Sequence, residues 1–320
     1  MFCLEMADER FYMDMIRLQI QILVFLGAGW LFGRKKLISK DSARQLNTLV
    51  MNLILPCSIF HAFQTRLSAQ ILRSTGMILV LAIGLQIVFI LLSKWLWKPV
   101  RDESERINLE YGTVSNNAGT LGMVIGQAAF GQEGVLYTSI YSIPLRIIMW
   151  SYGVALYNHK SSVSLKDLAR KVITHPCMIA IFLGLIAMTA QSYGYELPDL
   201  VTSIISAFAG CNTVLIMIII GVILSDIPLK NLAGKTVGLY TLLRLAVIPA
   251  AVLALLMAFH INGMPLKICV LETAMPAPVT MAMLSQKYGI NEQFSSQMIF
   301  LSTVLSMVTL PLWTMILSLL

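Results

Sequence analysis

The chain has 320 residues, of which 57% are hydrophobic and 12% are charged, and its mean hydropathy is +0.78. Soluble domains carry about 25% charged residues, so this composition excludes an ordinary soluble protein and predicts one embedded in a lipid bilayer. The formal net charge of +7 does not indicate a nucleic-acid partner, because the basic residues are scattered through short loops between apolar stretches.

Apolar stretches long enough to cross a bilayer recur along almost the whole chain. A spanning helix needs roughly 20 predominantly apolar residues. We predict ten such helices, numbered 1 to 10 in chain order, over residues 15–33, 43–63, 71–97, 106–131, 134–157, 174–190, 198–224, 236–260, 264–288 and 293–317. The predicted fold class is therefore an all-α integral membrane protein with ten transmembrane helices.

The distribution of basic residues predicts the orientation of these helices. Sixteen of the 23 lysines and arginines fall in the loops after helices 1, 3, 5, 7 and 9, and five fall on the opposite side. Lysine and arginine concentrate on the cytoplasmic side of a membrane. We therefore expect a multi-pass protein of the plasma (inner) membrane with both termini outside.

Ten helices divide into two halves of five, residues 1–160 and 161–320. An odd number of helices per half makes the two halves enter the membrane from opposite sides, which predicts an inverted 5+5 repeat. Inverted repeats place a substrate site near the membrane midplane, between discontinuous helices.

Predicted helices 4 and 9 occupy matching positions of the two halves, and each is interrupted near its centre. The interrupting residues, which we take as candidate substrate-binding residues, are Asn116, Asn117, Gly119 and Gly122 in helix 4 and Pro276, Ala277 and Pro278 in helix 9. Irregular backbone inside a membrane is tolerated only where protein or a watery cavity satisfies it. A matched pair of broken helices is typical of the binding site of a secondary transporter. The alternative is two unrelated kinks, because glycine and proline are common in membrane helices.

The breaks predict where charge could bind. Half-helix N-termini offer free N–H groups to an anion, whereas C-terminal carbonyls suit a cation. Asn116 and Asn117 would offer amide donors and acceptors to a ligand. The alternative is that they only form hydrogen bonds between helices.

Three of the ionisable residues, Arg146, Arg244 and Glu272, lie deep inside predicted helices, where an unpaired charge is costly. Arg146 follows Pro144 in helix 5 and either holds a carboxylate substrate or makes a structural pair. Glu272 precedes Pro276 by one turn and is the candidate coupling-ion site, for H⁺ or Na⁺; the alternative is a structural ion pair, with Arg146 as one possible partner. Arg244 in helix 8 better fits a structural role. Of the four histidines, His61 and His260 are expected near helix ends and His159 and His175 near the loop at 157–173, at the membrane interface rather than in a proton relay.

The sequence contains none of the patterns HExxH, GxSxG, GxGxxG, CxxC or a Walker loop. We therefore predict neither an enzyme nor an ATP-driven pump, and no bound cofactor or metal.

The residues around both breaks resemble a known family. Residues 115–131, SNNAGTLGMVIGQAAFG, resemble the helix-4 motif of the auxin efflux carrier family, bacterial branch included, and residues 271–289, LETAMPAPVTMAMLSQKYG, resemble its helix-9 motif. Residues 52–60, 211–224 and 302–313 resemble its second, seventh and last helices more weakly. The resemblance covers essentially the full chain, and the short loop after helix 5 favours the compact bacterial type.

The resemblance implies a fold shared with bile acid–sodium symporters, in which broken helices 4 and 9 cross. It implies a transport domain of helices 3–5 and 8–10 that moves against a scaffold of helices 1, 2, 6 and 7, and it allows a homodimer. The expected function is secondary active transport of small organic anions, carboxylates above all, by an elevator-like motion. Two alternatives stay open, a non-transporting membrane sensor and a sodium-coupled carrier of sterol-like acids.

Overall fold

The computed structural model describes residue 17, residues 20–158, residue 170, residues 172–225 and residues 234–320. Over these residues the chain forms helices and connections, and no strand occurs among them. The predicted boundary between the two halves, at residues 160 and 161, and the first residues of predicted helix 1 lie outside the described residues.

The helices follow the predicted ones in position, with differences of a few residues at their ends. Their bounds are Ile20–Arg34, Lys40–Leu49, Leu55–Ala62, Ala69–Leu96, Glu103–Val114, Leu121–Ile148, Val154–Tyr157, Pro176–Ser192, Asp199–Gly210, Asn212–Ser225, Lys235–Leu242, Ile248–Ala258, Met264–Thr273, Thr280–Tyr288 and Glu292–Ser318. π-Helical turns at Val50–Ile54, Met149–Gly153 and Leu243–Val247 join some of them into continuous rods.

Within the described part of the chain, four helices are long and apolar enough to cross a membrane: Ala69–Leu96, Asp199–Ile223, Lys235–Ala258 and Glu292–Ser318. Two further apolar helices, Ile20–Arg34 and Pro176–Ser192, are shorter. The prediction of an all-helical membrane protein is confirmed, whereas the ten-helix inverted repeat stays a prediction.

Proline and glycine account for the main irregularities outside the two breaks. The π turns Val50–Ile54 and Leu243–Val247 lie just before Pro56 and Pro249. A proline lacks an N–H and clashes with the carbonyl four residues earlier, so the preceding turn widens. Gly131, with φ +63° and ψ −145°, kinks the helix Leu121–Ile148 between predicted helices 4 and 5, in a region of backbone space that favours glycine.

Polarity is distributed as a membrane protein requires, with polar groups inside and apolar side chains outside. Leu72, Val80, Ile87 and Leu91 on the helix Ala69–Leu96 are exposed, and this outward face is continuous along the helix. The buried polar side chains include Asn108, Asn116, Ser139, Ser142, Arg146, Arg244, Glu272 and Thr273. Ionisable groups inside membrane helices face the bundle interior, so these residues mark where function is to be sought.

The helices pack in two groups. The first helix group comprises Ile20–Arg34, residues 40–62, Pro176–Ser192 and residues 199–225; it includes a close backbone approach in which a Cβ at Gly221 would lie 2.7 Å from the Trp30 nitrogen. The second helix group comprises Ala69–Leu96, Glu103–Val114, Leu121–Ile148 and residues 235–318. The groups touch where Leu55–Ala62 packs against Leu121–Ile148, and the candidate site lies along their boundary.

Candidate functional site at the crossing of two broken helices

The first break separates the helix Glu103–Val114 from the helix that begins at Leu121. Ser115 and Asn116 adopt extended backbone, and a single 3₁₀ turn, Asn117–Gly119, follows. The Asn116 Oδ1 accepts a hydrogen bond of 3.0 Å from the Ala118 nitrogen. Asparagine favours this arrangement because its short side chain caps a new turn from outside the helix.

The second break separates Met264–Thr273 from Thr280–Tyr288. Pro276 and Pro278 supply no N–H groups, so the first half-helix cannot continue through them. Between the prolines, the Ala277 nitrogen donates to the Ser302 Oγ at 3.1 Å. The break is thereby held against the last helix, Glu292–Ser318.

The two breaks are hydrogen-bonded directly to each other. The Asn117 nitrogen donates to the Pro276 carbonyl at 3.0 Å, and the Asn116 Nδ2 donates to the Glu272 carbonyl at 2.5 Å. Both bonds connect residues about 160 positions apart in sequence, so four of the predicted site residues meet at one place. This meeting point is called the crossover below.

Arg244 satisfies the ends of the first half-helix of each broken segment. Its Nε donates to the Met275 carbonyl and its Nη1 to the Thr113 carbonyl, each at 3.0 Å, and its guanidinium lies 5.9 Å from the Phe89 ring centroid. The C-terminus of a helix carries a partial negative charge, so one buried cation stabilises both ends together. These contacts are those of a structural residue.

Arg146 lies on the other side of the crossover and is less completely bonded. Its Nη2 donates to the Gly119 carbonyl at 3.0 Å, and its Nη1 lies 3.4 Å from the His175 Nε2. The Nε is buried and has no hydrogen-bond partner among the described residues. A buried guanidinium with spare donors is suited to bind an added acceptor.

Glu272 is fully buried behind the crossover, and it is not paired with Arg146. Within the described residues neither of its carboxylate oxygens accepts a hydrogen bond that meets ordinary geometric criteria, although the Thr138 side chain lies beside it. Gly122 packs directly on this carboxylate, since a Cβ there would lie 2.8 Å from Oε1. An incompletely bonded buried carboxyl group is costly unless it holds a proton or a cation.

A cavity of about 200 Å³ opens on the front of the crossover, between the two helix groups. Its polar wall contains Asn47, Asn116, Asn117, Gly119, Thr120, Arg146, His175, Pro278 and Thr280. Its apolar wall contains Ile216, Ile219, Ile220 and Ile223 from the helix Asn212–Ser225, together with Met51, Met149, Trp150, Val279 and Met283. Among the described residues that line the cavity, Arg146 is the only permanently charged cation, and none carries a carboxylate.

The predicted site residues thus take different places in the structure. Asn116, Asn117, Gly119, Arg146 and Pro278 line the cavity. The others lie behind it: Gly122 and Glu272 pack together, while Pro276 and Ala277 hold the second break in place.

Sequence reasoning did not include His175, Asn47 or the row of isoleucines in the site. His175, expected near the loop at 157–173, caps the helix Pro176–Ser192 at its N-terminus, and its ring also reaches the cavity. A histidine before a proline at a helix start would have been the only local signal.

The fold and this site define a polytopic membrane protein with a small cavity at the meeting point of two broken helices. The chain belongs to the membrane transport protein family, which it matches over residues 14–314. This is the family of the auxin efflux carriers, so the resemblance is confirmed, and the protein is a transporter rather than an enzyme.

Several relatives match nearly the whole chain. An uncharacterized transporter of Methanothermobacter thermautotrophicus is 27% identical over 305 residues, which cover 93% of this chain and 97% of that protein. An uncharacterized transporter of Methanocaldococcus jannaschii is 24% identical, with 95% and 98% covered. The uncharacterized transporter YfdV of Escherichia coli K12 is 24% identical, with 92% and 95% covered.

Proposed function

We propose that this transporter is a secondary carrier that moves small organic anions, carboxylates in particular, by alternating access. The observation that carries the proposal is the cavity at the crossover, where a buried guanidinium with free donors faces an otherwise neutral wall. Arginine donors bind carboxylates more strongly than neutral donors do, and an apolar wall opposite accepts the rest of the molecule.

The size of the cavity favours small substrates. Sites for drug-sized ligands occupy roughly 300–1,000 Å³, and this cavity is about 200 Å³. A sterol-like acid would need a substantially larger space. This supports the small-anion proposal over a carrier of sterol-like acids.

Glu272 is proposed as the coupling site. It is fully buried behind the crossover, and its main-chain carbonyl accepts from the Asn116 side chain, so a change at its carboxyl group can reach the substrate cavity through one residue. Protonation or binding of a sodium ion would each neutralise the carboxylate. The coupling ion is therefore a proton or a sodium ion, and transport measured with an imposed gradient of each ion distinguishes the two.

We further propose an elevator-like motion in which the second helix group, which holds both breaks, moves against the first. The cavity is suited to this because its polar wall belongs mostly to the second group and its isoleucine wall to the first. The predicted topology, with both termini outside and a plasma-membrane location, belongs to the same proposal.

The deciding experiment is uptake into proteoliposomes that contain the purified protein. Radiolabelled short-chain carboxylates are offered with an imposed proton gradient, with an imposed sodium gradient, and with neither. We expect carboxylate accumulation that one of the gradients drives. Uptake no faster than in protein-free liposomes for every carboxylate would contradict the proposal and favour the sensor alternative.

A further inference from the structure

His175 makes one contact through each ring nitrogen, and the tautomer of the ring decides which nitrogen donates. It is the N-terminal capping residue of the helix Pro176–Ser192, and its Nδ1 accepts a hydrogen bond of 3.3 Å from the Cys177 nitrogen. A ring nitrogen that accepts a hydrogen bond carries no proton, and a neutral imidazole then carries its proton on the other nitrogen. The cap therefore makes Nε2 a donor.

This donor lies beside a second one. The His175 Nε2 is 3.4 Å from the Arg146 Nη1, and a guanidinium nitrogen can only donate. Two N–H groups at this distance do not bond each other; they are satisfied together by an acceptor placed between them. Both side chains line the cavity, so such an acceptor would come from its contents.

We propose that Arg146 and His175 together bind the single carboxylate group of an apolar monocarboxylate, with His175 as the second donor to that head group. The inference rests on the proposed function, because it names the substrate class of the same cavity. One guanidinium and one neutral donor match one negative head group. The opposite wall, with Ile216, Ile219, Ile220 and Ile223, accepts an apolar body.

The same wall excludes a second charge. A dicarboxylate would place its other carboxylate against the isoleucines, where an unpaired charge is expensive to bury. The Asn116 amide already bonds Ala118 and Glu272, and as a neutral group it does not supply the positive charge that a second carboxylate would need. Discrimination between mono- and dicarboxylates is thus a consequence of the geometry.

The pair also spans the boundary between the helix groups. His175 belongs to the first group and Arg146 to the second. A carboxylate held by both would connect the two groups, so its binding would be sensitive to their relative position.

The test measures binding to the purified full-length protein by isothermal titration calorimetry. The probes are the monocarboxylates from propionate to hexanoate and the dicarboxylates of equal chain length, from malonate to adipate. The main variant is His175→Asn, because asparagine is a good helix cap and retains the bond to Cys177, yet its shorter side chain cannot reach Arg146. His175→Gln is longer and can present a donor again.

We expect the wild type to bind a monocarboxylate more tightly than the dicarboxylate of equal length. His175→Asn should weaken monocarboxylate binding roughly ten-fold, the effect of one lost hydrogen bond to a charged group, and His175→Gln should recover most of the loss. His260→Asn is the matched control: His260 is exposed at a helix end with φ +54°, where asparagine is also tolerated, and binding should be unchanged.

The possible failures are distinguishable. If His175→Asn binds monocarboxylates as the wild type does, the role of His175 is wrong, and if dicarboxylates bind more tightly, the monocarboxylate preference is wrong; carboxylate transport stands in both cases. If neither series binds and neither is transported into proteoliposomes, the proposed function itself is wrong. Should His175→Asn be unfolded by size-exclusion chromatography, the chain-length series and His175→Gln decide the question.

Discussion

Arg244 and Arg146 are both buried guanidinium groups at the crossover, and the comparison of their surroundings separates structure from function. Arg244 donates to the carbonyls of Thr113 and Met275, at the ends of two half-helices. Arg146 donates to one carbonyl, that of Gly119, and keeps a buried Nε without a partner among the described residues. Burying each cation costs desolvation free energy. Two main-chain carbonyls offset that cost at Arg244, whereas one does so at Arg146.

The comparison teaches that burial of a charge does not by itself identify a binding residue. A buried guanidinium nitrogen without a partner within the described structure, such as the Arg146 Nε, is the additional signal, because it keeps a donor that a ligand could use. Arg244 fixes where the half-helices end, and Arg146 faces the space that these ends enclose.

The largest expected effect is on stability, from Arg244→Gln. The variant leaves the carbonyls of Thr113 and Met275 buried without their charged donor, and we expect a loss of about 3–5 kcal/mol from two charge-assisted hydrogen bonds. Thermal unfolding in detergent measures it as a lowered midpoint. Arg66→Gln is the control, since Arg66 is an exposed arginine whose pair with Glu196 contributes little. If Arg244→Gln is as stable as the wild type, Arg244 does not have the structural role assigned to it here.

The next largest effect is a loss of substrate binding without unfolding, which we expect for Arg146→Gln and Arg146→Lys. We expect both variants to fold, with a loss of stability at most about half that of Arg244→Gln, because one charge-assisted bond, to the Gly119 carbonyl, is lost or weakened. Carboxylate uptake should fall at least ten-fold in Arg146→Gln. Arg146→Lys should also bind more weakly, because an ammonium does not reproduce the planar fork of donors. Unfolding of both variants with a loss as large as that of Arg244→Gln would show that the two arginines are alike.

A smaller loss of stability is expected for Asn116→Ala, and it should distinguish this residue from its neighbour Asn117. Asn116→Ala removes two buried side-chain bonds, to Ala118 and Glu272, and should cost about 2 kcal/mol of stability in addition to transport. Asn117 joins the breaks through its main chain, so Asn117→Ala should retain the fold and lose transport through its cavity-lining side chain. Parallel melting and uptake measurements check both. Equal loss of stability in the two variants would contradict the assignment.

The smallest effect on binding is expected for Glu272→Gln. The replacement has the same shape and keeps the main-chain carbonyl that Asn116 bonds, so substrate affinity should change less than about three-fold. The dependence of uptake on the imposed proton or sodium gradient should become flat, because a glutamine neither titrates nor binds a cation strongly. The control is Glu196→Gln on the exposed surface. A gradient dependence that persists in Glu272→Gln would place the coupling site elsewhere.

The sequence was sufficient to predict the membrane class, the approximate helix positions and the two breaks. These depend on local properties: the length of apolar stretches, the missing N–H of Pro276 and Pro278, and the preference of Asn116 for non-helical backbone. The family membership follows from the same residues, which is why the motifs around the breaks indicated a carrier before any contact was known.

Only the tertiary structure decided which ionisable groups lie at the cavity and which lie away from it. Arg146 and Glu272 were each other's possible partner in the sequence, but the structure places them on opposite sides of the crossover, against Gly119 and Gly122 respectively. His175 enters the cavity because a distant helix packs beside Arg146, a contact between residues 29 positions apart that no local pattern encodes. Backbone breaks are consequences of residue type, whereas the pairing of buried charges depends on how the helices pack.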